Sequence, residues 1–230
     1  MAELRSFKID FPDKLLIQLC HYKQKSNWDC GISCVLMVLP RIYRESLLKH
    51  LPDVCKVEGF NKSTWTIDLC YLLKKYNVQH KFYTITLGIH PGYSRSSFYR
   101  HILSKDEERV KKRFAAAKQN GISVRKKSLK MQQILDHLKN GPAILLTNAN
   151  LLFCDICKTN RLTSELRKCF PWPITYQGHY VVLCGYNCIN NKVYYRNPSL
   201  SDRVCVMSSN DLEHARKSYG TDEDIILIYS

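Results

Sequence analysis

The chain has 230 residues, 45% hydrophobic and 24% charged, with 35 lysines and arginines against 20 aspartates and glutamates, a formal charge of +15. A chain of this length buries a core without staples, and its composition excludes the fibrous and disordered classes. No apolar run approaches the roughly 18 residues that would cross a bilayer. The N-terminus has no signal-peptide core, position 2 is Ala2 rather than a myristoylated glycine, and the end of the chain carries no prenylation cysteine. A protein of the cytoplasm, with the nucleus as a further location and no membrane association, is expected.

Eleven cysteines form an odd set, and several lie in apolar runs, among them Cys70 and Cys184. They read as reduced core residues rather than a disulfide framework. The positive charge favours acidic partners. It is scattered, however, with short clusters at 111–113 and 125–127 and no aromatic-interleaved basic motif. A solvated basic face is the expectation, and nucleic-acid binding is not.

In chain order, the opening segment as far as Lys25 is mixed and includes an entry strand. Asp29 stands as an N-cap before a helix that starts at Cys30 and is stopped by Pro40. A second helix follows Ser63-Thr64-Trp65-Thr66, and a strand rich in aromatic and β-branched residues covers 81–86. Ser104 and Glu107 have the form of a capping box, predicting a charged helix that ends near Asn120-Gly121. Ser128 is expected to cap a further helix, which Gly141-Pro142 ends. Beyond that the period changes: 143–147, 180–184, Lys192–Arg196 and Ile225–Tyr229 read as strands, with helical content at 211–219. Helices first and strands later is the α+β pattern. No linker or repeat interrupts it, so one domain over 1–230 is expected.

A thiol hydrolase needs a thiolate, a base beside it, a group that holds the base, and a donor for the oxyanion. Cys30 sits at a predicted helix N-terminus, where the dipole and unpaired N–H groups favour a thiolate, and Gly31 lets the backbone approach a bound carbonyl. His179 precedes a strongly apolar strand, with Gly178 making room beside its ring. Asn197 ends the next strand, and a hairpin turning near Asn190-Asn191 brings it beside His179, where an amide fixes the imidazole. Gln24, six residues before Cys30, is placed to donate to the oxyanion, and Trp28 to line the substrate cleft. An early cysteine followed far along the chain by His179 and then Asn197 has the order and separation of the papain-like type. Trp65 and Trp172 read as packing residues. Cys154 and Cys157, with Cys169 twelve residues on, have partial zinc-ligand spacing and need Cys184 or Cys188 as a fourth ligand. No metal or cofactor is assigned.

Gln24-x5-Cys30 within Asp29-Cys30-Gly31-x-x-Cys34, then Gly178-His179-Tyr180-Val181-Val182-Leu183 and Asn197-Pro198, resembles the C39-type bacteriocin-processing peptidases. The resemblance implies Gln24 as the oxyanion residue, Cys30 as nucleophile, His179 as base and Asn197 as orienting residue, where those peptidases usually have Asp. The fold it implies is papain-like, with N-terminal helices on a C-terminal antiparallel sheet and a protein or peptide as substrate. Six blocks between residues 28 and 224 also resemble the guanylyl cyclase domain-containing protein 1 family. They include Trp28-Asp29-Cys30-Gly31, Trp65-Thr66-Ile67-Asp68-Leu69, Tyr176-Gln177-Gly178-His179 and Ser218 to Asp224. That family's name implies cyclic GMP formation from GTP, which needs metal-bridging carboxylates and a phosphate cradle. The chain has no Walker-type glycine loop. Its acidic candidates are Asp68 and Asp222-Glu223-Asp224, the latter read as a solvated turn. A thiol hydrolase is the leading expectation, with a non-catalytic binding domain and a cyclase as alternatives.

Overall fold

The computed structural model describes residues 12–60, 63–158, 160 and 175–229. Its first strand, β1 (Lys14–Leu16), is followed by helices α1 (Cys30–Val38), α2 (Arg41–Lys49), α3 (Leu51–Glu58) and α4 (Thr66–Lys75). Strand β2 (Gln79–Thr84), helix α5 (Ser97–Ala116), strand β3 (Ser123–Lys126) and helix α6 (Met131–His137) come next. The remainder is β4 (Ala143–Asn148), β5 (Gly178–Asn187), β6 (Lys192–Arg196), β7 (Cys205–Ser208), α7 (Ser209–Arg216) and β8 (Ile225–Tyr229).

The strands form one sheet in the order β3-β2-β8-β4-β5-β6-β7, with β1 paired to β5. Strands β4, β5 and β8 are near-continuous apolar runs because they lie at the centre with both faces covered. On one face Ile144, Leu146, Tyr180, Val182, Ile226 and Ile228 pack against α1 and α4. On the other, Leu145, Val181, Leu183 and Ile225 meet Ile134 of α6 and Leu212 of α7. Alternation along each strand divides the two cores.

This is an α+β fold, but the sheet is mixed rather than wholly antiparallel: β2 and β3 run parallel. It is also not confined to the C-terminal half, since β1, β2 and β3 join it. Two helix starts differ from expectation. Helix α5 begins at Ser97, so Ser104 lies inside it. Ser128 does not cap α6; its hydroxyl donates to Glu223 at 2.5 Å, and the Gln133 side chain instead accepts the Lys130 N–H at 3.0 Å. Pro40 ends α1 as predicted, and its fixed φ then leads directly into α2. Helices α2 and α3 and strands β3 and β7 are not apparent in the sequence, because they are short and largely exposed or on the sheet edge and their hydrophobic period is weak.

Gly185 marks the closest backbone approach in the sheet. The β5–β6 register shifts between Leu183 and Gly185, and Gly185 pairs with Leu16 of β1. A Cβ there would collide with the Leu15 carbonyl oxygen, which is backbone and cannot swing aside. Gly185→Ala is therefore expected to displace β1 and to destabilise the fold by about 1–3 kcal/mol, read as a lowered Tm. Among the described residues no helix is long and apolar enough to cross a membrane.

Candidate functional site

Cys30 opens α1. Asp29, expected as its N-cap, makes no side-chain cap bond. Its carboxylate turns back to accept the Lys25 and Ser26 N–H groups at 3.1 and 3.0 Å, while its carbonyl accepts the Ser33 N–H at 2.9 Å. Asp29 thus stitches the preceding turn to the helix and leaves the first helical N–H groups without a side-chain cap. Burial pushes the Cys30 thiol up to about 11, against smaller opposing pulls from the Tyr180 and Gly31 backbone amides. The missing Cβ of Gly31 faces Leu69 and the Tyr180 ring, each 3.0 Å from where it would lie. Helix–sheet packing therefore gives this glycine a structural reason of its own.

His179 begins β5 and Asn197 follows β6. The hairpin between the strands turns at Asn191, whose φ of 49° is one that Asn tolerates. The connection sets His179 Nε2 at 2.9 Å from Asn197 Oδ1. The Ser199 N–H donates to the same Oδ1 at 3.0 Å, and the Ser199 hydroxyl donates to Gln24 Oε1 at 2.7 Å while lying 3.4 Å from His179 Nε2. Gln24 is further anchored by its N–H to the Pro198 carbonyl at 2.9 Å and by its amide nitrogen to the Ser26 carbonyl at 2.6 Å. Burial lowers the His179 pKa, and the Asn197 bond partly offsets this. Gln24, His179 and Asn197 thus come together around Ser199, which the sequence reading missed although it stands two residues past Asn197.

Cys30 stands on the other side of the same strand end. It makes no hydrogen bond to His179 or Gln24; its neighbour on β5 is Tyr180, which alternates with His179 and faces α1. Cys30, Trp28 and Gly178 line a cavity of about 210 Å³ together with Trp65, Phe98, Tyr99, Tyr176 and Tyr180. A Cβ on Gly178 would meet the Tyr176 hydroxyl at 2.8 Å and Phe98 at 3.1 Å, so this glycine makes room for the cavity wall. Tyr99 stacks on Tyr93 at 3.9 Å and on Tyr176 at 5.6 Å, and its hydroxyl donates to the Gly220 carbonyl at 2.6 Å.

The acidic run before β8 is not the solvated turn expected of it. Asp222 and Asp224 also line the cavity. Asp222 Oδ1 accepts the Thr86 hydroxyl at 2.8 Å, whereas Asp224 Oδ1 is enclosed with no hydrogen-bond partner. Burial raises both carboxyls above their ordinary range, Asp224 the more strongly because it is the more deeply buried and Asp222 adds a like charge. Asp68, the other acidic candidate, lies elsewhere and is committed. It accepts Arg109 Nη2 at 3.0 Å, Arg113 Nη1 at 2.6 Å and the Trp65 backbone N–H at 2.9 Å. Trp65 does pack as expected, against the first core, and its indole N–H donates to Asp106 at 3.0 Å. Cys169 and Trp172 lie outside the described residues.

Residues 19–228 match a family model described as guanylylate cyclase. The chain is 36% identical over 224 residues to Guanylyl cyclase 1 of Arabidopsis thaliana, covering 94% of this chain and 77% of that protein. Among solved structures it is similar to a putative C39-like peptidase from Bacillus anthracis, with a TM-score of 0.50 and 15% identity over 94% of this chain and 98% of that one. At that identity the likeness concerns the fold alone. The chain belongs to the guanylylate cyclase family and carries a papain-like fold of the C39 type.

Proposed function

We propose that the chain is a thiol hydrolase that cleaves a peptide or isopeptide bond. The observation that carries this reading is the His179 Nε2–Asn197 Oδ1 contact of 2.9 Å, made one residue before the β5 position that packs against Cys30's helix. That contact holds Nε2 as the protonated nitrogen and leaves Nδ1 free to act as the base. Cys30 and His179 are not hydrogen-bonded in the resting chain, so the pair closes when substrate enters the cavity that Cys30 lines, as catalytic contacts often tighten only in the complex. The thiol then passes its proton to Nδ1 as sulfur adds to the carbonyl carbon. The imidazolium returns that proton to the leaving amine as the C–N bond breaks, and water hydrolyses the thioester. Gln24 would donate to the oxyanion after exchanging its Ser26 contact.

Burial that raises the thiol and lowers the imidazole keeps both neutral near pH 7. Alkylation of Cys30 by iodoacetamide is therefore expected to keep rising above about pH 9, where an ordinary thiol levels off. Its midpoint should lie at about 11. Peptide mass mapping across a pH series measures this. A plateau near neutral pH would instead report a standing thiolate–imidazolium pair.

A cyclase is the second reading, favoured by the family and by the two carboxylates that line the cavity. Among the described residues no third acidic or histidine ligand joins Asp222 and Asp224 to make a metal cluster. A substrate screen with Cys30→Ala as a trap, beside a GTP assay with magnesium or manganese, separates the two. Trapped peptide or ubiquitin-like conjugates support the hydrolase, and cyclic GMP formed by the variant supports the cyclase.

A further inference from the structure

On the side of the sheet away from Cys30, the loop after β4 meets the start of β7. Cys154 and Cys205 are buried there in the second core, and Cys157 is half-buried beside them. The three sulfurs lie within 4.8 Å of one another. Sequence spacing pairs Cys154 and Cys157 and looks to Cys169, which lies outside the described residues, and to Cys184 or Cys188; among the described residues the fold brings up Cys205, from the third strand after β4.

Packing as small hydrophobes does not account for the hydrogen bonds at this cluster. Cys154 Sγ accepts two backbone N–H groups at 3.4 Å, one from Cys157 and one from Val206, the residue next to Cys205. A neutral thiol is a weak acceptor, so two donors converging on one sulfur suit a thiolate. Lys158, directly after the Cys-x-x-Cys turn, takes a left-handed φ of 60°. That conformation, costly for a residue with a Cβ, lets the turn fold both sulfurs to one side. Three thiolates so close cannot ionise together without a cation between them.

We propose that Cys154, Cys157 and Cys205 bind a structural zinc ion. Zinc–thiolate bonds of about 2.3 Å in a tetrahedron set sulfurs about 3.8 Å apart, within the spread seen here after small side-chain rotations. Binding releases the thiol protons to solvent, and a fourth ligand completes the shell. The ion would fasten the β4 exit loop to the edge strand β7, where an edge most needs holding. The loop has other ties: the Asp155 N–H to the Val206 carbonyl at 2.8 Å, Lys192 to Asp155 at 2.8 Å, and the Tyr195 hydroxyl to the Phe153 carbonyl at 2.7 Å. Single-cysteine variants are therefore expected to fold.

The test is elemental analysis of the whole chain purified under thiol reductant without added metal. One zinc per chain is expected, retained by Cys30→Ala and Cys188→Ser and lost at least tenfold by Cys154→Ser and Cys205→Ser. X-ray absorption at the zinc edge should count at least three sulfurs. Zinc in the wild type no higher than in Cys205→Ser, a shell with fewer than three sulfurs, or loss of zinc in Cys30→Ala would each overturn the proposal. Should the serine variants fail to fold, cobalt substitution of the wild type decides: intense thiolate-to-cobalt charge-transfer bands support the site, and their absence overturns it.

Discussion

Cys30→Ala is expected to lower hydrolysis by at least about 10³-fold and to abolish labelling by a peptide-based electrophile that binds the cavity, with the fold intact. The thiol touches little that alanine would leave unsatisfied: it lies at the rim of the cavity, at the first turn of α1, and its sulfur is bonded to no side chain. Loss of activity would thus report loss of the nucleophile, which circular dichroism of the variant verifies. His179→Ala should cost a comparable factor, and the double variant little more, because nucleophile and base act as one unit. Asn197→Ala should cost less, since it frees the ring to rotate but leaves the base in place, and its loss should fall on kcat more than on KM. Unchanged turnover in Cys30→Ala would sink the hydrolase reading. Electrophile labelling spread evenly over the exposed cysteines, with no turnover in any variant, would leave a binding domain that keeps the fold.

The parts of this molecule that a sequence reveals are those where local chemistry and long-range structure agree. Strands β6 and β8 are predicted to the residue and β4 to within one, because an apolar run between turn residues has few alternatives. Cys30, His179 and Asn197 are legible for the same reason: each sits at an element end, where a helix start, a strand start or an Asn-Pro turn marks it, whereas Gln24, in the irregular segment before α1, is legible only by its spacing from Cys30. What escapes the reading depends on chain pairing. Nothing local says that β8 inserts between β2 and β4, and it is that insertion which carries Asp222 and Asp224 into the cavity wall. Ser199 and Cys205 escape it likewise, since their partners stand far back in the chain: Gln24 for Ser199, and Cys154 with Cys157 for Cys205. Gly31 and Gly178 are recognisable as special, but a sequence shows that a Cβ is absent and not what fills the space: Leu69 and Tyr180 beside Gly31, Phe98 and Tyr176 beside Gly178.

Asp68→Ala is expected to destabilise the protein by about 3–5 kcal/mol, the usual cost of leaving buried charge without its partner. Asp68 is fully buried on α4 and is held by Arg109 and Arg113, both on α5 and largely buried themselves. Burial raises its pKa while the two guanidiniums pull it back. Around it Arg109 also pairs with Asp106 at 3.0 Å, and Arg113 with Glu58 at 2.6 Å. The Arg113 guanidinium stacks over Phe60 and Tyr71 besides. Arg113 is therefore not part of the solvated basic face to which its cluster with Lys111 and Lys112 assigned it; those two lysines are, each in an exposed pair with Glu107 or Glu108. Removing Asp68 leaves Arg109 with Asp106 and Arg113 with Glu58 but takes from each its most buried partner, whereas Asp68→Asn keeps an acceptor for the Trp65 N–H and should cost less. The network also fixes α5 against α4, and α5 carries Phe98 and Tyr99 to the cavity beside Cys30. Asp68→Asn, where it folds, should accordingly raise KM for a peptide substrate while leaving the intrinsic alkylation of Cys30 unchanged. A metal-bridging role for Asp68 predicts the reverse: a Tm that barely moves on substitution, and a metal-dependent activity that disappears. Chemical denaturation of the two variants, read beside their kinetics, distinguishes a carboxylate that clamps two helices from one that holds a cation.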